Sequence, residues 1–178
     1  RPGDPHSPIP SFLWGHIGWV LFKSDKSVAD AKDLAGDPFF AHLHRLHAIS
    51  NPLLALALYV IGERYGGLGA SWVIWGVAVR TVFCHHAAWL VNSATHRVGY
   101  RNYATRDGSR NTFWVALLTF GEGWHNNHHA HPRSAMFGHR WWEIDVGFLV
   151  IRALQAVGIA TDVQRPRDRI QGESDART

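Results

Sequence analysis

The stretch from Gly66 to His96, GGLGASWVIWGVAVRTVFCHHAAWLVNSATH, decides the fold. It runs 31 residues with one formal charge, Arg80. A bilayer-spanning helix needs about 20 mostly apolar residues. Reading back from this stretch, Leu46 to Gly62 forms a second run of 17 residues without a charge, with Pro52 inside it. Only Glu63-Arg64-Tyr65 and a glycine pair lie near the join, so the two runs read as a helical hairpin. Reading forward, Arg97, Arg101, Arg106 and Arg110 crowd behind the second run. Such a cluster beside a span marks the cytoplasmic side. Both ends of the hairpin then face the cytoplasm, with the tip around Glu63–Gly67 outside. The opposing reading is a buried helical pair in a soluble protein. The second run exceeds ordinary core-helix length and favours the membrane.

Composition agrees with two spans attached to a polar domain. Charged residues make up 18% of 178, and mean hydropathy is slightly negative. An aromatic share of 12% excludes a disordered acidic chain. Cys84 is the one cysteine, which excludes an internal disulfide framework and a cysteine-rich zinc module. Eighteen Lys+Arg against 14 Asp+Glu give a net charge of +4. The basic residues sit beside the spans rather than along one groove-facing helix, so no nucleic acid is expected as a partner. Thirteen histidines point instead to imidazole metal chemistry.

The expected fold class is all-α: an integral membrane helical hairpin plus a cytoplasmic helical histidine-box domain. Residues 1–40 read as a cytoplasmic loop with short helices. Four of the 8 prolines fall in the first eleven residues, SVADAKDLA suits a short surface helix, and Asp37-Pro38 suits a helix start. Residues 41–96 hold two transmembrane helices, about 46–62 and 68–95. Residues 97–165 form the cytoplasmic helical domain. Within it, 141–158 reads as an amphipathic surface helix behind Trp141-Trp142. Residues 166–178 form a disordered tail. The sequence opens at Arg1 without a signal segment and reads as a fragment entered from something upstream.

The strongest chemical signal is Gly123-Trp124-His125-Asn126-Asn127-His128-His129-Ala130-His131. On a helix, residues i, i+3 and i+4 share a face. His125, His128 and His129 then point one way, a donor set suited to a divalent transition metal. The glycines Gly121 and Gly123 let the chain turn sharply into this segment. The second signal is Asn92 and His96 on one face at the end of the long apolar run, with His85 and Trp89 on the same stripe. His42, His44 and His47 suit interfacial packing. Arg106, Asp107, Asn111 and Glu122 are candidates for polar support of the imidazoles, or for a solvated loop.

NSATH, GYRNY, TRDGSRN, LLTFGEGWHNNHHAHPRSA and RWWEID together resemble the membrane fatty-acyl desaturases, most closely their Δ9 acyl-CoA and acyl-lipid branch. The resemblance covers nearly all of residues 1–166. It implies that His125, His128 and His129 are the third histidine box, that His96 is the extra histidine of the last span, and that Asn92 holds metal through water. It implies that Trp89 lines the bend of an acyl tunnel, and that Trp19 and Lys23 lie near the acyl head group. The acyl-CoA members tend to carry two basic residues where this chain has Lys23-Ser24. The implied cofactor is two iron ions, a di-iron centre incomplete in this chain, since the first two boxes fall before Arg1. The implied enzyme is an oxidoreductase that uses O2 and two electrons to introduce a cis double bond, at Δ9, into a saturated acyl chain. Its implied partners are a fatty acyl substrate (acyl-CoA or acyl-lipid), ferredoxin or a small cytochrome, and the lipid bilayer. It is multi-pass with the catalytic side cytoplasmic. The alternatives are a membrane di-iron hydroxylase of the same superfamily and a non-enzymatic His-rich membrane metal-binding protein.

Overall fold

The computed structural model describes residues 11–22 and 36–166. The expected surface helix SVADAKDLA, Lys23 and the tail beyond Pro166 lie outside the described residues. The described residues are helical, with no β-strand beyond isolated bridges of Asn111 to Tyr100 and to Trp124. Two compact units emerge among the described residues, one of residues 36–85 and one joining 11–22 to 86–166.

In the first unit, α1 is Pro38–Arg64 (27 residues). Pro38 sits where a missing N–H costs nothing, and the Asp37 carboxylate accepts the Phe39 N–H at 2.8 Å. This cap starts the helix eight residues before the uncharged run. Helix α2 is Gly69–Ser93 (25 residues), with a π-helical stretch at Ile74–Val79; from His86 on it belongs to the second unit. Gly66 and Gly67 take φ of 105° and 71° to turn the chain between them. Gly62 and Gly69 then let the helices touch: a Cβ on Gly62 would fall 2.8 Å from the Gly69 Cα. The Arg80 guanidinium donates to Asn51 Oδ1 of α1 at 2.8 Å, so the lone charge of the long run is met across the hairpin.

These helices are not core helices. Of their most apolar windows, 6% of α1 and none of α2 is buried. Leu53, Leu56, Ile74, Trp75, Val82 and Phe83 all face outward. Both helices are long and apolar enough to cross a membrane, and apolar surface on this scale marks contact with lipid or protein rather than water.

In the second unit, π-helical Trp14–Gly18 runs into the short turn Trp19–Leu21. After α2 come α3 (Phe113–Leu118), α4 (His125–Ala130) and α5 (Val146–Ala156). Its interior mixes apolar Val115, Ala116, Trp124 and Phe148 with fully buried Asn111, Asn126, Asn127, Thr95 and Ser109. Asp145 caps α5 by accepting from Phe148 N at 2.8 Å. Ahead of it Trp141 is exposed, and Trp142 lies under the Arg140 guanidinium at 5.0 Å.

Replacing Gly62 with Val drives side-chain atoms into the backbone of Gly69. The expected loss is about 1–3 kcal/mol, as for overpacked cores. It is read as a lower thermal midpoint of the detergent-solubilised protein.

Candidate metal centre

Six residues make a poor helix on their own, so α4 must be held from outside. Its N-cap residue, Trp124, offers no side-chain cap. Asn111, distant in sequence, does this instead: its Oδ1 accepts the N–H of Asn126 at 3.0 Å and of Asn127 at 3.2 Å. The two asparagines inside the box point away from the histidines. Asn126 Oδ1 accepts from the N–H groups of Asn102 and Tyr103, both at 2.8 Å. Asn127 Oδ1 accepts from the amides of Asn102 and Asn111 at 2.9 and 2.8 Å. Each asparagine donates as well, Asn126 to Tyr103 O and Asn127 to Phe137 O and Glu143 Oε2.

Glu143, 4% exposed, closes this network. Its Oε1 accepts from the Tyr100 hydroxyl, Asn102 Nδ2 and Asn111 Nδ2, and its Oε2 from Asn127 Nδ2 and the N–H groups of His139 and Arg140. Six donors replace the water that a buried carboxylate loses. Burial, and then the bond to Glu143, push the Tyr100 phenol above its ordinary range, so it stays a donor. Gly123 lets the chain pass into α4, since a Cβ there would fall 2.1 Å from Ala116 N.

The opposite face of α4 carries the imidazoles. His96, His125 and His129 bring one ring nitrogen each within 4.8 Å of one another. His125 Nε2 lies 3.1 Å from His96 Nε2, and the His125 and His129 ring centres are 4.3 Å apart. The His129 Nδ1 is held by Asp107 Oδ2 at 2.5 Å, leaving its Nε2 for the cluster. Asp107 is itself fixed by Ser109 and Thr105. Burial alone would raise the Asp107 pKa; the bonds from Ser109 and His129 win and hold it well below the usual carboxylate range. The His125 pKa is pushed down to about 2, first by burial and then by its imidazole neighbours His129, His96 and His128. Burial, with His129 adding, lowers that of His128. Neutral rings with open lone pairs are what a transition metal needs. The buried Nδ1 atoms of His125 and His128 have no hydrogen-bond partner. The donor set therefore fits a metal.

The other sequence-expected residues fall as follows. His128 stays outside the three-donor group, its ring 5.7 Å from that of His129 and 4.5 Å from Phe137. Asn92 is half-buried one turn before His96, and no hydrogen bond joins it to the cluster among the described residues. Trp89 and Trp19 are half-buried, and Lys23 lies outside the described residues. Asp107 and Asn111 touch the box; Arg106 and Glu122 make no bond to it among the described residues. His131 joins Tyr103 and His139 in a separate aromatic cluster, with His139 bridging Tyr103 Oη and Met136 O. Sequence reading missed Asn102, Asn126, Asn127 and Glu143. The pair of amides between the histidines was the available signal, because polar residues on the far face of a buried helix need partners.

Residues 1–155 match the fatty acid desaturase family. The sn-1 stearoyl-lipid 9-desaturase of Anabaena variabilis is 46% identical over 165 residues, 90% of this chain and 58% of that protein. The protein of the same name from Synechocystis sp. is 44% identical, over 92% of this chain and 50% of its own length. The chloroplastic palmitoyl-monogalactosyldiacylglycerol delta-7 desaturase of Arabidopsis thaliana is 41% identical, over 93% and 44%. The chain spans about half the length of the curated relatives it matches.

Two outcomes are expected. Asp107→Asn frees the His129 ring and lowers metal affinity about 10–100-fold, read by Co(II) titration with helical content as the control. In metal-free protein, stability falls as pH drops below about 6.5. His125, His128 and His139 are held neutral, mainly by burial, with folded pKa values below the ordinary 6.5. The unfolded chain takes up protons there and the folded one does not, so their contribution is full above 6.5 and is lost on acidification. Thermal midpoints that stay flat from pH 8 to 5 contradict this.

Proposed function

The chain belongs to the fatty acid desaturase family, and from that premise we propose that it is the C-terminal part of an iron-dependent membrane acyl desaturase. The observation that carries the reading is the convergence of His96, His125 and His129 in a chain of this family. The proposed reaction converts a CH2–CH2 pair of a saturated acyl chain, at Δ9, to a cis CH=CH. O2 takes the two hydrogens together with two electrons and two protons and leaves as two waters. The first two relatives act, by name, on stearoyl-lipid, which favours an acyl-lipid substrate over acyl-CoA.

His96, His125, His128 and His129 would hold iron, with Asn92 helping through water. Two iron ions, when bound, supply O2 activation and the electron route to it. The rest is the work of this chain. Asp107 fixes which nitrogen His129 presents. Asn111 and Glu143 fix the helix that carries three of the four rings. Burial of His125 keeps water from that ring and keeps it neutral. Trp89 shapes the path of the acyl chain, and Trp19 and Lys23 lie toward its head group. Helices α1 and α2 cross the bilayer within a multi-pass protein. The arginines at 97, 101, 106 and 110 keep the metal domain on the cytoplasmic side. There a ferredoxin or small cytochrome delivers electrons.

The full-length protein, expressed in a host without its own acyl desaturase, should stay in the membrane pellet after carbonate washing and yield Δ9 alkenes in lipid methyl esters. His125→Ala should lower that yield at least about 100-fold. Hydroxylated acyl chains in place of alkenes would turn the assignment to the related hydroxylases.

A further inference from the structure

His16 lies outside the three-imidazole cluster, yet its ring meets Ser93, His86, Phe12 and Trp89. It sits in the π-helical segment Trp14–Gly18, and π-turns concentrate at functional positions. Its Nδ1 lies 3.0 Å from Ser93 Oγ and its Nε2 lies 2.9 Å from His86 Nδ1. Phe12 stacks on it at 5.4 Å, and Trp89 meets it edge-on at 5.9 Å and 87°. His86 also packs against Trp89, at 5.0 Å and 72°.

The direction of this chain of bonds follows from Ser93. Its hydroxyl donates to the Trp89 carbonyl at 2.9 Å, so Ser93 Oγ accepts from His16 Nδ1–H. A neutral His16 then presents a lone pair at Nε2, and His86 Nδ1–H donates to it. One tautomer of each ring satisfies all three bonds. The chain runs His86 to His16 to Ser93 to the backbone of Trp89, and Ser93 directly follows Asn92.

We propose that His16 is a positioning residue that fixes the Trp89 ring and the end of α2, and through them the depth to which an acyl chain enters. The proposal rests on the desaturase reading and on Trp89 lining the acyl path. It acts on where the double bond falls, not on whether metal binds.

The test uses the full-length protein with two readouts: double-bond position and chain length of the products, and iron per protein. Trp89→Ala tests the underlying reading. His16→Phe keeps the stacking ring and removes both bonds. His16→Asn keeps a donor at the Nδ1 position, and His16→Gln places its amide at the Nε2 position. Expected is a rise of about tenfold in misplaced double bonds or wrong chain lengths for W89A, H16F and H16Q. Iron content is retained, and H16N restores the parental profile. A shift in W89A with a parental profile in both H16F and H16Q overturns the proposal and leaves the desaturase reading standing. A parental profile in W89A overturns both. If H16F does not accumulate, the Asn and Gln variants decide: Asn shifted and Gln parental overturns the assignment. Joint loss of iron and product, with an unchanged profile in what remains, also overturns it, because that is a general structural role.

Discussion

The Asn111 side-chain amide is the interaction on which the metal centre depends. Its oxygen accepts the second and third N–H groups of α4, and its nitrogen donates to Asn127 and Glu143. Its own backbone pairs with Tyr100, at 3.1 and 2.7 Å, and bridges to Trp124. One residue thus joins the loop after α2, the start of the histidine helix and the Glu143 turn. A helix of six residues gains little from its own hydrogen bonds, and nucleation is unfavourable. Its position is therefore inherited from its surroundings. The polar interior of this unit follows: directional hydrogen bonds can place three rings more exactly than non-directional apolar burial, provided every buried group is satisfied.

The hairpin obeys different physics. There the apolar surface is outside, and close approach depends on small residues where the helices meet. Gly62 against Gly69, and Gly76 against Leu58, remove the side chains that would hold the helices apart. Arg80 supplies a polar link, to Asn51. The two units divide the work that a soluble fold would do with one core.

What the sequence made legible was local. Uninterrupted apolar length revealed the two long helices, and spacing of 125, 128 and 129 revealed a shared face. Asp37-Pro38 announced a helix start because capping chemistry is local too. What stayed hidden depends on partners far along the chain. Asn111 meets α4 across 15 residues, Asn102 meets Glu143 across 41, and His16 meets Ser93 across 77. No periodicity encodes such pairs. The stripe of 85, 89, 92 and 96 follows from helical spacing. The contact of His86 with His16 and Trp89 does not, because the partner comes from another segment. The structure also brings His96 to His125 across 29 residues, which spacing alone could not do.

The π-helical segment Trp14–Gly18 carries a consequence for how such a sequence can change. A π-turn holds one more residue than an α-turn. Deleting any one of these five residues restores the ordinary pitch. Each residue turns an α-helix by about 100°, and the wider turn absorbs its extra residue at less than that, so such a deletion leaves Trp19 near its bearing relative to Phe12. What the deletion removes is the side-chain arrangement of the widened turn, His16 included. The chain count at this segment can then change by one without redirecting the helix that follows, while the identity of the residues that fill the turn is under the tighter constraint.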